Sequence, residues 1–142
     1  MRRNFEFAIV VMLVTVLAVL LMQALRRAQG DLEEAGVQAD AAAIRSQLLE
    51  VVAHHEVFGG TFPSSDNPLD WVSNRPANYR GVLEQAPEEK HVWYFDSSRH
   101  ELIYRFRDGH VARFRLNRDA GRAGLRGSIS GLGLQRLDVK ND

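Results

Sequence analysis

From Phe7 to Leu25 the chain reads FAIVVMLVTVLAVLLMQAL, about 19 residues without a charge, and this run limits the fold more than any other feature. At about 1.5 Å per residue, a helix of that length crosses a hydrocarbon core of roughly 30 Å. A cleaved signal peptide has a shorter apolar core and a small-x-small cleavage site, whereas this run ends in Gln23-Ala24-Leu25-Arg26-Arg27. The expectation is a single membrane span. Arg2 and Arg3 favour a cytoplasmic N-terminus, although Arg26 and Arg27 follow the span, and the remaining chain then lies on the far side of the membrane. One residue sits awkwardly: Glu6 stands just inside the mouth of the run. A carboxylate at membrane depth costs up to about 3 kcal/mol at a helix centre, so such a group usually has a partner or a task.

The sequence has 142 residues, which leaves room for one small folded unit beyond the span. Its 18 Lys and Arg balance 18 Asp and Glu, and a chain with no net field has little to attract nucleic acid. It has no cysteine, which excludes a disulfide framework and thiolate metal sites.

After the span, Val37, Ala41, Ile44, Leu48, Val51 and His55 recur at alternating steps of four and three, which predicts an amphipathic helix. Asp40, Arg45, Gln47 and Glu50 occupy its other faces. No strong stop separates the two segments, although Gly30 and Gly36 each cost about 1 kcal/mol relative to alanine. The expectation is one helix from near Asn4 to about Val57, roughly 80 Å long, ended by Gly59-Gly60 and Pro63. Residues 61–90 are dense in Pro, Asn, Asp and Ser and have no sustained period. They read as a loop excursion pinned by Phe62, Trp71 and Tyr79.

HVWYFDSSRHELIYRFRDGHVARFRLN contains three alternating runs and reads as an antiparallel meander over about residues 91–116. A loop of Ser97 to His100 places Trp93 opposite Tyr104 and Phe95 opposite Leu102. A three-residue loop, Arg107-Asp108-Gly109, then pairs Tyr104 with Ala112 and Leu102 with Phe114. The sheet should have one apolar face and one exposed face carrying Arg105, Arg113 and Arg115. Residues 117–133 read as a Gly- and Arg-rich loop, with one last short strand from Leu134 to Val139.

The predicted fold class is α+β: a tail and span over 1–28, an amphipathic helix over 29–58, and a globular part over 59–142 whose small antiparallel sheet receives the helix. Trp93, Phe95, Leu102, Tyr104 and Phe114 form the expected sheet core. Adjacent His54 and His55 point about 100° apart, too far to share a metal on one helix face. Ser64, Ser65 and Ser97 have no base and orienter around them. The expectation is therefore a non-enzyme without metal or cofactor.

An acidic residue opening an apolar span, a span continuing as an amphipathic helix, and a small antiparallel sheet after it resemble the layout of type IV pilins and type II secretion pseudopilins. Phe5 to Leu25 with Glu6 carries the likeness, as does HVWYFDSSRHELIYRF, which resembles the aromatic hairpin of pseudopilin-like proteins. NPLDWVSNRPANYRG is similar to a segment of accessory pilin-like proteins, including those of mannose-sensitive haemagglutinin pilus systems. The resemblance implies a bacterial inner-membrane protein with a periplasmic domain and other pilin-like subunits or machinery proteins as partners. It also implies an assembly role for Glu6 and Phe5, because the family's glutamate at the fifth mature position pairs with a neighbouring subunit's amino terminus; counted from Arg2, Glu6 is fifth. The competing reading of Glu6 is that it snorkels, or pairs with Arg2 or Arg3 of its own chain. No glycine precedes Phe5, where the family's leader ends in one, and an unprocessed chain would stay in the membrane as an assembly factor or a bitopic scaffold or sensor.

Overall fold

The computed structural model describes residues 1–118 and 132–138. Helix α1 spans Arg2–Phe58 and is followed by a short 3-10 turn at Pro68–Asp70. Five strands follow among the described residues: β1 (Tyr79–Leu83), β2 (Val92–Asp96), β3 (Glu101–Arg105), β4 (Val111–Asn117) and β5 (Gly133–Arg136). The chain divides into two compact units, Met1–Gly36 and Val37–Asp142, so α1 contributes to both.

In the second unit the sheet order is β1-β2-β3-β4-β5. The hairpins follow the register that burial requires: Trp93 pairs with Tyr104, Phe95 with Leu102, Tyr104 with Ala112 and Leu102 with Phe114. Asp96 closes the first turn by accepting from the backbone N–H groups of Ser98 and Arg99 at 2.9 and 3.1 Å. In the second turn Gly109 adopts a φ of 96°, a left-handed conformation that glycine takes without strain. Phe106 N donates to His110 O at 2.9 Å and closes the three-residue loop.

Three expectations need correction. The sheet is mixed rather than purely antiparallel, because β1 lies parallel to β2. Its register shifts between Tyr79 and Val82, and although burial alternates along β1, an inward position holds Gly81 (φ 91°) and an outward one Val82, so the sequence does not show the alternation. That strand was hidden inside the predicted loop excursion of 61–90. The second sheet face is exposed only in part: Val92, Tyr94 and Ile103 each retain only 3% of their accessible surface, whereas Arg115 is exposed and Arg105 and Arg113 are half-buried. Two of these arginines also contact the fold, Arg115 pairing with Glu101 at 2.8 Å and Arg105 donating to the carbonyl of Pro87 in the segment returning from β1 to β2. Lastly, the predicted stripe is incomplete: Val52 is buried with Val37, Ala41, Ile44 and Leu48, while Val51 is partly buried and packs against the same core. Val51 and Val52 diverge by about 50° to either side of the stripe's centre, so both reach the core from its flanks.

The core joins that stripe to Leu69, Trp71, Trp93, Phe95, Leu102 and Tyr104, with Phe106, Phe114 and Leu134 completing the sheet's share. Polar contacts fix the seating of the helix. Trp93 Nε1 donates to Asp40 Oδ2 at 2.9 Å, and Arg45 Nε donates to the carbonyl of Leu134 at 3.0 Å. The predicted 117–133 loop lies largely outside the described residues, as does Val139; the last strand is present as Gly133–Arg136.

Candidate functional site

In the first unit, the apolar segment of α1 buries nothing in the chain's own fold. Leu13, Leu17 and Leu21 are 57, 61 and 71% exposed, and Phe5 and Phe7 are 68 and 70% exposed. Leaving so many large apolar side chains in water opposes folding by about 25 cal/mol per Å² of apolar surface, so this surface requires a non-aqueous neighbour. The helix is long and apolar enough to cross a membrane. Its backbone hydrogen bonds are internal, as a lipid environment demands. Thr15 conforms as well, donating its hydroxyl to the carbonyl of Val11 at 2.8 Å.

Glu6 lies exposed on this helix, with Arg3 and Arg2 three and four residues before it, at the spacing where side chains on one helix face can meet. No ion pair forms between them among the described residues. Among the described residues the carboxylate is thus left without a cationic partner, and the pairing of Glu6 with Arg2 or Arg3 is not the arrangement found.

The second unit presents a different surface. Gln47 holds the segment after the 3-10 turn as a strand would: its amide nitrogen donates to the carbonyl of Asn74 at 3.2 Å and its amide oxygen accepts from Asn74 N at 3.0 Å. Shallow grooves flank this clamp. One is floored by Val51 and Val72 and rimmed by Glu50 and His54, the other lies between Asp40, Ala43 and Pro76. Val51, expected in the packing stripe, is therefore partly buried and lines the groove. His55 is half-buried and stacks on Phe62 with ring centroids 3.8 Å apart.

Asn67 is a residue that periodicity misses. It is 1% exposed, accepts from Leu69 N at 3.1 Å and donates to Tyr79 Oη at 2.9 Å. Burial pushes the Tyr79 hydroxyl above its usual range, with the Asn67 contact opposing that rise. An asparagine before a proline that opens a helical turn is a recognisable cap, and that pattern was readable in Asn67-Pro68.

Among the described residues no three His, Cys, Asp or Glu side chains gather to hold a metal ion. Ser65 and Ser97 direct their hydroxyls to Asp70 Oδ2 and to the carbonyl of Leu83. The structure places Trp93, Phe95, Leu102, Tyr104 and Phe114 together in one core and leaves Glu6 and Phe5 on the exposed apolar segment of α1. No protein-family profile, curated protein or solved structure matches the chain.

Proposed function

We propose that the chain is a membrane-anchored, pilin-like structural or assembly component of a type IV pilus or type II secretion machine. In this reading the N-terminus is cytoplasmic, the span crosses the bacterial inner membrane, and the second unit is periplasmic and acts by binding rather than catalysis. The observation that carries the reading is Glu6, without an ion pair among the described residues, at the mouth of the exposed apolar segment of α1. A carboxylate facing lipid is expensive until another chain brings it a positive group, so the charge favours lateral association of subunits. The buried sheet and its packed helix support the layout, which matches the α+β organisation of the family it resembles.

The test is co-purification and crosslinking of the Glu6→Gln chain beside the parent at matched membrane levels. Glu6→Gln removes the charge at nearly constant volume, so insertion is retained while recovery of pilin-like partners falls. Unchanged recovery removes Glu6 from the mechanism.

A second reading is favoured by one feature, Asn4 where the family has glycine before Phe5. It makes the protein a bitopic scaffold or sensor whose outer unit binds a partner without entering a filament. Shearing the cell surface separates the two: a filament subunit appears in the sheared fraction, and a scaffold is recovered only with detergent-solubilised membrane.

A further inference from the structure

The apolar part of α1 is not uniformly convex. A groove runs along one of its faces, lined by Thr15, Ala18, Val19 and Met22 and closed at one end by Gln23 and Arg26. Thr15, Ala18, Met22 and Arg26 follow steps of three and four, which keeps them on one face. Ala18, the small residue among larger neighbours, forms the notch. Because the Thr15 hydroxyl is turned back onto the carbonyl of Val11, the groove has no unsatisfied polar group along its length. Its sides remain open, with Val19 51% and Met22 61% exposed. At its polar end, Arg26 has no ion-pair partner among the described residues.

We propose that this groove binds one anionic phospholipid, with an acyl chain along Thr15 to Met22 and the phosphate on Arg26, assisted by the Gln23 amide. The dimensions agree. The eleven steps from Thr15 to Arg26 rise about 16 Å, and one leaflet supplies about half of a roughly 30 Å hydrocarbon core. The chemistry agrees also, since a guanidinium matches phosphate oxygens with two parallel N–H donors and is weakly hydrated enough to work at the interface. Arg27 is turned about 100° from Arg26 and so lies off the groove. The site thus distinguishes two adjacent arginines, which a diffuse basic patch does not.

This inference rests on the membrane-spanning reading of α1 and not on the assembly role of Glu6. Its test uses the full chain in neutral detergent micelles, titrated with dioleoyl phosphatidylglycerol or dioleoyl phosphatidylcholine and read by native mass spectrometry. A single phosphatidylglycerol adduct is expected, preferred over phosphatidylcholine by about tenfold, the ratio that corresponds to ~1.4 kcal/mol. Arg26→Gln should bring that ratio close to one, Arg27→Gln should leave it intact, and Ala18→Leu should diminish adducts of both lipids by filling the notch. Equal losses for Arg26→Gln and Arg27→Gln would overturn the site in favour of general charge attraction. Ala18→Leu that spared the lipid adduct while removing chain-to-chain adducts would overturn it in favour of a second helix. Carbonate extraction of the parent chain from membranes keeps the two premises apart. Release from the membrane defeats the span and the lipid site together, whereas retention without lipid preference defeats the lipid site alone.

Discussion

Leu17 and Leu48 belong to the same helix, yet the first is 61% exposed and the second 1%. Helix propensity does not separate them. Around Leu17 every face is apolar, so packing one face against a neighbour does not hide its side chains from water, and the segment is long and apolar enough to cross a membrane. Around Leu48 the apolar residues form one stripe, with Arg45, Gln47 and Glu50 on other faces, and the sheet covers that stripe. The contrast teaches that the two parts of α1 differ in the width of their apolar surface, all faces around Leu17 and one stripe around Leu48.

The sharpest way to break this comparison is at the sheet's centre. Trp93 is fully buried, packs edge-on against Tyr104 with ring centroids 5.0 Å apart, and anchors Asp40 through its indole N–H. Trp93→Ala should destabilise the second unit by about 3–5 kcal/mol, because it opens a large cavity and strands a carboxylate oxygen. Urea denaturation followed by far-ultraviolet circular dichroism measures the loss. A change under 1 kcal/mol would mean that helix and sheet are not held as described.

A matched pair of substitutions comes next in size. Leu48→Ala should cost about 2–5 kcal/mol in the same measurement, and Leu17→Ala should leave the unfolding of the second unit unchanged within error. If both substitutions shifted the midpoint equally, the apolar segment would be part of the soluble core rather than a surface turned outward.

Much of this arrangement was legible because burial and period two act together in the hairpins. Only one register keeps Trp93, Phe95, Leu102, Tyr104 and Phe114 on a common face, and it is the one found. Strand β1 was not legible, since its inward positions include Gly81 and its outward ones Val82, so burial alternates where hydrophobicity does not. The burial of Val52 was equally hidden, because Val51 and Val52 lie on opposite flanks of the stripe and spacing alone does not show that both meet the core. The second sheet face was legible in part: Arg115 is exposed as its position suggests, but nothing in the spacing shows that it reaches Glu101 or that Val92, Tyr94 and Ile103 are buried. The candidate site was legible in its residues but not in its state. Sequence places Glu6 beside Arg2 and Arg3, and only coordinates show that it pairs with neither.

A smaller effect sharpens the account of what holds the 3-10 turn against the core. Asn67→Ala removes the cap acceptor and leaves the Tyr79 hydroxyl without its donor, for a cost of about 1–2 kcal/mol. Asn67→Asp restores the acceptor for Leu69 N but sets a second carboxylate near Asp70 Oδ1, which the asparagine amide contacts at 3.4 Å. It should therefore recover only part of the loss. Thermal unfolding of the two variants checks the order, and an aspartate as stable as the parent would show that the donor to Tyr79 has no weight.

The smallest expected effect is one of pH, and it bears on the turn between β2 and β3. Asp96 and Glu101 stand directly opposite each other, an arrangement that repels unless other groups compensate. Burial works to raise the Asp96 carboxyl, but the Ser98 hydroxyl, the backbone N–H groups of Arg99 and Ser98, and the Arg99 charge outweigh it and hold the group below its usual range. A depressed folded pKa means that the unfolded chain binds more protons through this interval, so stability rises with pH there. The contribution is complete above the unfolded value of about 3.9 and is lost as pH falls through the folded value. Asp96→Asn keeps a side-chain oxygen for the Ser98 and Arg99 N–H groups while deleting the titration. The variant should be slightly less stable than the parent at pH 7, and the gap should narrow as pH falls below about 4. Asp108 and Asp138 are depressed as well, so the variant retains part of the parent's acid sensitivity. Urea midpoints measured across pH 2–7 decide the matter. A gap that stayed constant over that range would show that the Asp96 charge does not stabilise the turn, leaving its hydrogen-bond geometry as the whole of its contribution.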